Sequence, residues 1–332
     1  MAILDHTSNH PNGESWQQPT WLDCEPHCWQ SGTLNRAELH ATADRLMILP
    51  IFPTACAGFA DNILDTFAAS WALNKVMREA PRFAFIAFLM YLHHGKGMGE
   101  SGITYSRIVA LYGIGSRSGV LATPTRIKAM LGLALVSGQL RQSKRDQADK
   151  RLKVLEPTEK LIAPMLIWLR GFLEAVEPVA PLLKPAVELA YLPGLFGEVM
   201  TYIIHAYRLD EFVLYEEFQE VKLFMFRENG YLTLMEILRT MRFADGGYIA
   251  QAPSVQLAKK FSMSRSTVRR LLAECEELGW LSISERGGHT LLLTDNFATQ
   301  CRRWVALEIV WMAGLANAAA FRIANQASNC AV

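Results

Sequence analysis

Apolar side chains recur at helical spacing between residues 254 and 278. Positions 255, 257, 258 and 261 predict a short helix, and the pair Ser262 and Met263 predicts a tight turn after it. Ser264 suits the N-cap of a second helix, because its hydroxyl can accept a hydrogen bond from an otherwise unpaired backbone N–H. We expect this helix to continue to about Leu278 and to end at Gly279. Its inward face is predicted to contain Val268, Leu271, Leu272, Cys275 and Leu278.

A hairpin is predicted directly after these two helices. Residues 280–284 alternate between apolar and polar positions, residues 286–289 have the composition of a turn, and residues 290–293 predict a second strand. Two helices joined by a tight turn and followed by a hairpin with a basic tip are typical of a winged helix-turn-helix. The candidate DNA contacts are Ser264, Arg265, Ser266, Thr267, Arg269, Arg270, Arg286 and His289.

The physical reason for this assignment lies in the second helix. In such a motif it enters the major groove with its N-terminal residues against the base edges. Arginine can bind guanine through two hydrogen bonds, and serine or threonine can contact bases or phosphates. Residues 259–270 contain five cations and no acid. The alternative is a solvated basic helix on a small domain. The succession of helix, turn, helix and two hairpin strands favours DNA binding over this alternative.

The same order of elements is predicted a second time between residues 103 and 161. A short helix capped by Thr104 precedes a Gly- and Ser-rich stretch at 113–119, and Thr123 and Pro124 predict the start of the next helix. Gly138 ends that helix, a strand follows at 139–143, and a second strand is expected at 152–155. The helix is expected to pack through Ile127, Met130, Leu131, Ala134 and Leu135, and the charged hairpin tip contains Lys144, Arg145, Lys150 and Arg151.

Part of this first unit resembles a known family. Asp149-Lys150-Arg151, Lys153-Val154-Leu155 and Thr158-Glu159-Lys160 resemble the wing and the following helix of MarR-type regulators. The second unit is similar to bacterial winged helices of the GntR or MarR style. The resemblance covers roughly residues 90–165 and 230–300. It implies a winged-helix fold and DNA-binding roles for Thr125, Arg126, Lys128 and Arg151, and for the helix that contains Arg265 to Arg270.

The chain departs from that family in two respects. Its loop at 113–122 is longer than the usual turn. MarR proteins are also about half as long, carry one winged helix per chain and dimerise. The present chain therefore resembles a fused pair, in which Thr125 corresponds to Thr267 at an offset of 142 residues and Thr158 to Thr294 at an offset of 136. Because the two units differ, the expected DNA site need not be palindromic.

Charge is concentrated locally, since the net charge of the 332 residues is only +1. Residues 117–153 hold nine cations and two acids, which suits phosphate binding through counterion release. The balancing acids include a run at Asp210, Glu211, Glu216, Glu217 and Glu220. This run is predicted to be a solvated helix face, with contact to a basic partner as the alternative.

Motifs of the common enzyme classes do not occur in the sequence. We find no P-loop, no dinucleotide-binding glycine motif, no H-E-x-x-H and no G-x-S-x-G, so the chain is not expected to be an enzyme. The six cysteines lack a framework spacing, and Cys24, His27 and Cys28 lack a second ligand pair, so neither a metal nor a cofactor is expected. The polar N-terminal sequence does not resemble a secretory signal, and a cytoplasmic location is expected.

Residues 304–321 form a nearly uninterrupted apolar stretch, broken only by Glu308 and Asn317. Its length of about 18 residues lies near the lower limit for a membrane span. A helix that is apolar on all sides is more often buried in a large core or an oligomer interface. We therefore expect a buried helix and no membrane partner.

These patterns predict a mainly α protein with small β-hairpin wings, in which two winged helix-turn-helix units are joined and flanked by long helices. The expected segments are an irregular arm at 1–60, a first unit at 61–177, a helical linker at 178–229 and a second unit with a C-terminal helix at 230–332. The predicted function is sequence-specific, DNA-binding regulation of transcription in a bacterium. A replication initiator with paired winged helices and a winged-helix module for protein interaction are the alternatives.

Double-stranded DNA is the expected partner. A homodimer and a small-molecule effector are compatible with such a chain. An effector pocket could be lined by Trp71, Phe83, Phe85, Phe88 and Tyr91, although packing in the core is the alternative role of these side chains.

Overall fold

The computed structural model describes residues 36–69, 79–94, 102–112, 122–143, 153–180, 182–209, 213–285 and 289–329. The chain is mainly α-helical with two small antiparallel sheets. The elements up to residue 209 are α1 (Arg36–Met47), α2 (Phe52–Ala69), α3 (Ala80–His94), α4 (Tyr105–Tyr112), α5 (Pro124–Val136), β1 (Leu140–Gln142), β2 (Leu155–Pro157), α6 (Glu159–Val176), α7 (Ala186–Ala190) and α8 (Leu195–Leu209). Those that follow are α9 (Gln219–Phe226), α10 (Gly230–Thr240), β3 (Arg242–Ala244), β4 (Gly247–Ala250), α11 (Ser254–Phe261), α12 (Arg265–Glu277), β5 (Leu281–Glu285), β6 (Thr290–Leu293) and α13 (Asp295–Asn329).

Residues 36–47 and 52–60, which were expected to be irregular, are helical. They form α1 and the first half of α2. Helix α1 buries Leu39, Ala43 and Leu46, which are spaced four and three residues apart and therefore lie on one face. That face packs against the C-terminal helix α13. The prediction was wrong because a packing partner more than 250 residues away stabilises a helix of weak amphipathic pattern.

The first sheet is small and pairs β1 with β2 in antiparallel register, Leu140 opposite Pro157. Strand β2 lies two to three residues later than the predicted 152–155. A single antiparallel bridge joins Ile103 to Leu155, with Leu155 N–H donating to the Ile103 carbonyl at 2.8 Å. Three chain segments therefore lie side by side, the one at Ile103 being only one residue long.

The second sheet has four strands in the order β3-β4-β6-β5, all antiparallel. Strands β3 and β4 form a hairpin that was not among the predicted elements. Its turn consists of Asp245 and Gly246, both with positive φ (52° and 80°), as a type I′ turn requires. The Asp-Gly pair between short apolar runs was the sequence signal for this hairpin.

One hydrophobic core includes buried residues from both halves of the chain. Helix α2 packs against α6 and α10, and α13 contacts α1, α6, α8 and α9. Of the apolar window within α13, 72% is buried inside the protein, and Trp304 is fully buried. By length and composition α13 could span a membrane, but its burial is that of a core helix, as expected for residues 304–321.

The acidic run is not a solvated helix face in the part that the structure describes. Glu220 is only 8% exposed and accepts a hydrogen bond from Asn296 Nδ2 at 3.0 Å. Glu216 pairs with Lys222 at 2.8 Å, and Glu217 lies 3.0 Å from His40 Nε2. The prediction was wrong here because the partners of these carboxylates come from this chain; Asp210 and Glu211 lie outside the described residues.

Gly230 allows α9 and α10 to join closely. A Cβ at this position would overlap the carbonyl oxygen of Phe224. We expect Gly230→Ala to lower the free energy of unfolding by about 1–3 kcal/mol, as overpacking does.

Gly132 lies in the exposed middle of α5, and no atom lies within 4 Å of a Cβ built at this position. Gly132→Ala should therefore raise the free energy of unfolding by about 0.5–1 kcal/mol, since alanine favours helix. Urea unfolding of the two variants measures both changes. Changes of the same sign in the free energy of unfolding would contradict this packing.

Candidate nucleic-acid interface

The N-terminal half of α12 presents a polar and basic surface. Ser264 is its N-cap, and the Ser264 hydroxyl accepts from Ser266 N–H at 3.2 Å and lies 2.6 Å from the Ser266 hydroxyl. Thr267 is half-buried. The exposed side chains are Ser264, Arg265, Ser266, Arg269 and Arg270. All six predicted contacts of this helix therefore lie in one patch, termed here the α12 patch.

The opposite face of α12 is packed, as predicted, through Val268, Leu271, Leu272 and Cys275. Leu278 is an exception, because it is 51% exposed. The helix ends at Glu277, and Leu278 is its C-cap residue. Val255 on α11 was also predicted to pack and is 43% exposed, whereas Leu257 and Phe261 on that helix are buried.

The charges of α12 are separated along its axis. Its arginines occupy the first two turns, and its acids occupy the last two. Glu274 binds Arg227, with Arg227 Nε donating at 3.0 Å, and Glu276 accepts from Ile283 N–H at 2.8 Å. The N-terminus of a helix already carries positive potential, so cations there are not placed for helix stability. The same potential favours a bound anion such as a phosphate.

Helix α11 supports the α12 patch and contributes two lysines, Lys259 and Lys260. Arg269 Nε donates to the hydroxyl of the buried Ser254 at 3.4 Å, which ties the guanidinium to the start of α11. Lys260 Nζ lies 3.5 Å from Asp65 Oδ1 on α2. Of the five cations between residues 259 and 270, Lys260 is therefore partly neutralised by an acid of α2. The sequence pattern did not predict this contact.

The strand after α12 is positioned by Gly279, whose φ of +72° is left-handed. Gly279 N–H donates to the Glu276 carbonyl at 3.0 Å, and Trp280 N–H donates to the Cys275 carbonyl at 3.0 Å, which is a Schellman ending. Strands β5 and β6 then pair as predicted. His289 is exposed directly before β6, and Arg286 lies outside the described residues.

The capping contacts at the two ends of α12 recur at the two ends of α5 in the first unit. Thr123 caps α5 by accepting from Arg126 N–H at 3.3 Å. Gly138 has a φ of +71° and donates to the Leu135 carbonyl at 3.0 Å, while Gln139 N–H donates to the Ala134 carbonyl at 2.8 Å. Thr158 Oγ1 donates to the Gln139 carbonyl at 3.2 Å, as Thr294 Oγ1 donates to the Trp280 carbonyl at 3.0 Å.

The positions of these caps change the predicted alignment of α5 with α12. The N-caps Thr123 and Ser264 are 141 residues apart, and so are Gly138 and Gly279. The offset of 142 at Thr125 was therefore wrong by one residue. Thr125 corresponds to Ser266, Arg126 to Thr267 and Lys128 to Arg269. Because one residue rotates a helix by about 100°, the correction changes which side chains occupy equivalent faces.

The outward face of α5 differs from the α12 patch. Thr125, Arg126 and Lys128 are exposed, but the guanidinium of Arg126 is ion-paired with Glu79. Farther along α5 the exposed side chains are apolar, with Val136 at 89%. Leu135, predicted to pack inward, is 41% exposed. The hairpin-tip residues Lys144, Arg145, Lys150 and Arg151 lie outside the described residues, and Arg141 before them pairs with Glu156 at 2.7 Å.

Two of the predicted effector-contacting residues border a cavity of about 170 Å³ in the helical core. Phe83 and Phe88 line it together with side chains of α6, α8, α10 and α13. Phe85 and Tyr91 are instead buried against other core residues, 2% and 4% exposed. Trp71 lies outside the described residues. Glu308, which interrupts the apolar stretch at residues 304–321, also lines this cavity.

The described cysteines are Cys56, Cys275 and Cys301, and all three are buried. Burial raises the pKa of the Cys56 and Cys275 thiols to about 12, so these two stay protonated at neutral pH. Within the described ranges no three His, Cys, Asp or Glu side chains are close enough together to hold a metal ion. Cys24, His27 and Cys28 are not among the described residues.

Comparison of the chain with protein-family models, with curated proteins and with solved structures gave no match.

Proposed function

We propose that this chain is a sequence-specific, DNA-binding regulator of transcription that acts in the bacterial cytoplasm. The observation that carries the proposal is the α12 patch. Arg265, Arg269 and Arg270 are exposed on the N-terminal half of a helix whose opposite face is buried and whose acids are confined to its C-terminal half. A capped helix with that distribution suits insertion into a major groove.

The surrounding elements support the proposal. Helix α10, strand β4, helices α11 and α12 and the hairpin β5–β6 follow in the order of a winged helix, and β4 pairs with β6. In the first unit α3, Ile103, α4, α5, β1 and β2 follow in the same order, and Ile103 pairs with Leu155 of β2. We infer that both units are winged helices. Arginine binding to guanine would provide base readout in the second unit.

The two units are proposed to contribute unequally. The α12 patch reads bases, whereas α5 offers Lys128 and an Arg126 already held by Glu79. A preferred DNA site on one chain would therefore be asymmetric. The exposed Leu133 and Val136 of α5 favour a second candidate role for the first unit, as a surface for protein interaction.

Selection of bound DNA from a random pool tests the proposal. We expect one enriched, non-palindromic motif whose affinity falls steeply between about 50 and 200 mM salt, because arginine contacts to phosphate release counterions. Footprinting on bacterial DNA then separates a regulator from a replication initiator, since a regulator protects a promoter and an initiator protects repeated sites at an origin. No enrichment, or binding insensitive to salt, would contradict DNA binding and would favour the interaction module.

A further inference from the structure

The cavity of about 170 Å³ lies between α3, α6, α8, α10 and α13. Its walls are largely aromatic and include Trp168, Phe172, Tyr231 and Trp304. The rings pack edge to face, with centroids 5.7 Å apart for Trp168 and Phe172 and 6.4 Å apart for Tyr231 and Trp304. An apolar cavity of about 150 Å³ accommodates benzene. The present cavity therefore has room for a molecule with one aromatic ring and a short substituent.

The only charged residues that border the cavity within the described ranges are two glutamates, Glu79 and Glu308. Glu79 is already engaged, because it pairs with Arg82 at 3.1 Å and with Arg126. Glu308 forms no ion pair with any described cation. Its side chain is partly accessible where it borders the cavity, although the surrounding core raises the pKa of its carboxyl to about 8. A carboxyl group thus borders an aromatic cavity without a described counter-ion.

A second polar group marks the same wall. The indole Nε1 of Trp304 is fully buried and has no hydrogen-bond acceptor with good geometry among the described residues. Trp304 precedes Glu308 by one helical turn of α13, so the two side chains lie on the same face. Its indole N–H partly offsets the rise in the pKa of Glu308. The indole N–H of Trp304 and the carboxyl of Glu308 therefore form a polar edge in a largely aromatic cavity.

We propose that this cavity binds a small organic cation, an alkyl- or arylammonium with about one ring, with Glu308 as its counter-ion. Aromatic faces attract ammonium groups through their quadrupoles, and tryptophan does so most strongly. The apolar walls would hold the rest of the ligand. Because Glu308 is mostly protonated at neutral pH, binding releases about one proton to the buffer. The site requires no DNA and stands apart from the proposed regulatory function.

Calorimetric titration of the full chain at pH 7.5 tests the proposal with two probes of equal size, 2-phenylethylammonium and 2-phenylethanol. We expect the amine to bind at least about tenfold more tightly than the alcohol, since only the amine gains an ion pair. The heat should change between buffers of different ionisation enthalpy, in proportion to the released proton. Equal affinity of the two probes, or no binding of the amine, would overturn the proposal.

Three variants give the controls. Glu308→Gln keeps the size of the protonated side chain and should remove the preference for the amine. Ala84→Leu, on α3 in the cavity wall, should weaken both probes through loss of space without touching Glu308. Glu188→Gln, exposed on α7, should change neither affinity. A preference for the amine that survives in Glu308→Gln would overturn the role of Glu308, provided circular dichroism shows the native helix content. Binding of both probes unchanged by Ala84→Leu would place the site elsewhere.

Discussion

Glu308→Gln is expected to raise the free energy of unfolding above pH 8 by up to about 5 kcal/mol relative to the unmodified chain. The pKa of the Glu308 carboxyl is raised from an ordinary value of 4.5 to about 8, first because burial disfavours the charged form. Each unit of pKa difference between the folded and unfolded states corresponds to about 1.4 kcal/mol. Hydration of the carboxylate inside the cavity would reduce the effect, so this figure is an upper value.

The direction of the pH dependence follows from proton counting. Between pH 4.5 and 8 the folded chain keeps the Glu308 proton and the unfolded chain has lost it. The free energy of unfolding therefore decreases as pH rises through this window and levels off above it. Glutamine does not titrate, so the variant should match the unmodified chain near pH 4.5 and exceed it progressively up to pH 8.

Urea unfolding at several pH values between 4.5 and 8.5 measures the difference between the two proteins. Tyr215 and Tyr231 line the same cavity, and burial raises their pKa values above the ordinary value of 10, so neither titrates in this window in the folded state. Titration of the Cys56 and Cys301 thiols contributes equally to the free energy of unfolding of both proteins, so this contribution cancels in the difference. A Glu188→Gln control should track the unmodified chain. A difference that stays constant with pH would contradict the burial of Glu308.

Replacing Arg265, Arg269 and Arg270 together with alanine is expected to weaken specific DNA binding by at least about 100-fold. Each arginine that reads a base contributes about 1–3 kcal/mol, and each phosphate contact contributes about one to the slope of log affinity against log salt. All three are exposed, and the described contacts of Arg269 leave its guanidinium only loosely tied to Ser254 at 3.4 Å. Fluorescence anisotropy with the selected DNA site, at two salt concentrations, provides the measurement.

The matched variant replaces Thr125, Arg126 and Lys128 on α5 with alanine. We expect a loss of no more than about tenfold and little change in sequence preference, because Arg126 is paired with Glu79 and only Lys128 remains as an outward cation. Both triple variants change exposed residues, so thermal unfolding should show little change. A larger loss from the α5 variant than from the α12 variant would refute the assignment of base readout to the second unit.

Local sequence predicted the elements of the proposed interface well. The N-caps Thr123 and Ser264 and the helix-ending glycines Gly138 and Gly279 were recognised, and all four are confirmed. Capping and left-handed turns depend on a few neighbouring residues, so they can be predicted from the sequence without knowledge of the fold. The position of β2 was wrong by two to three residues, since the charged hairpin tip offers no apolar period to fix its register. The alignment of α5 with α12 was wrong by one residue, because it matched Thr125 with Thr267 instead of the two N-caps.

Short-range sequence patterns account for the helical periodicity, the caps and turns, the basic N-terminal half of α12 and the apolar character of α13. Tertiary structure decided which charges remain available. It placed Asp65 beside Lys260, Glu79 beside Arg126 and Asn296 beside Glu220. It also placed Glu308 in the wall of an aromatic cavity. The physical reason is that caps and amphipathic faces arise from interactions over one or two turns, whereas desolvation and ion pairing depend on side chains that folding brings together from distant segments.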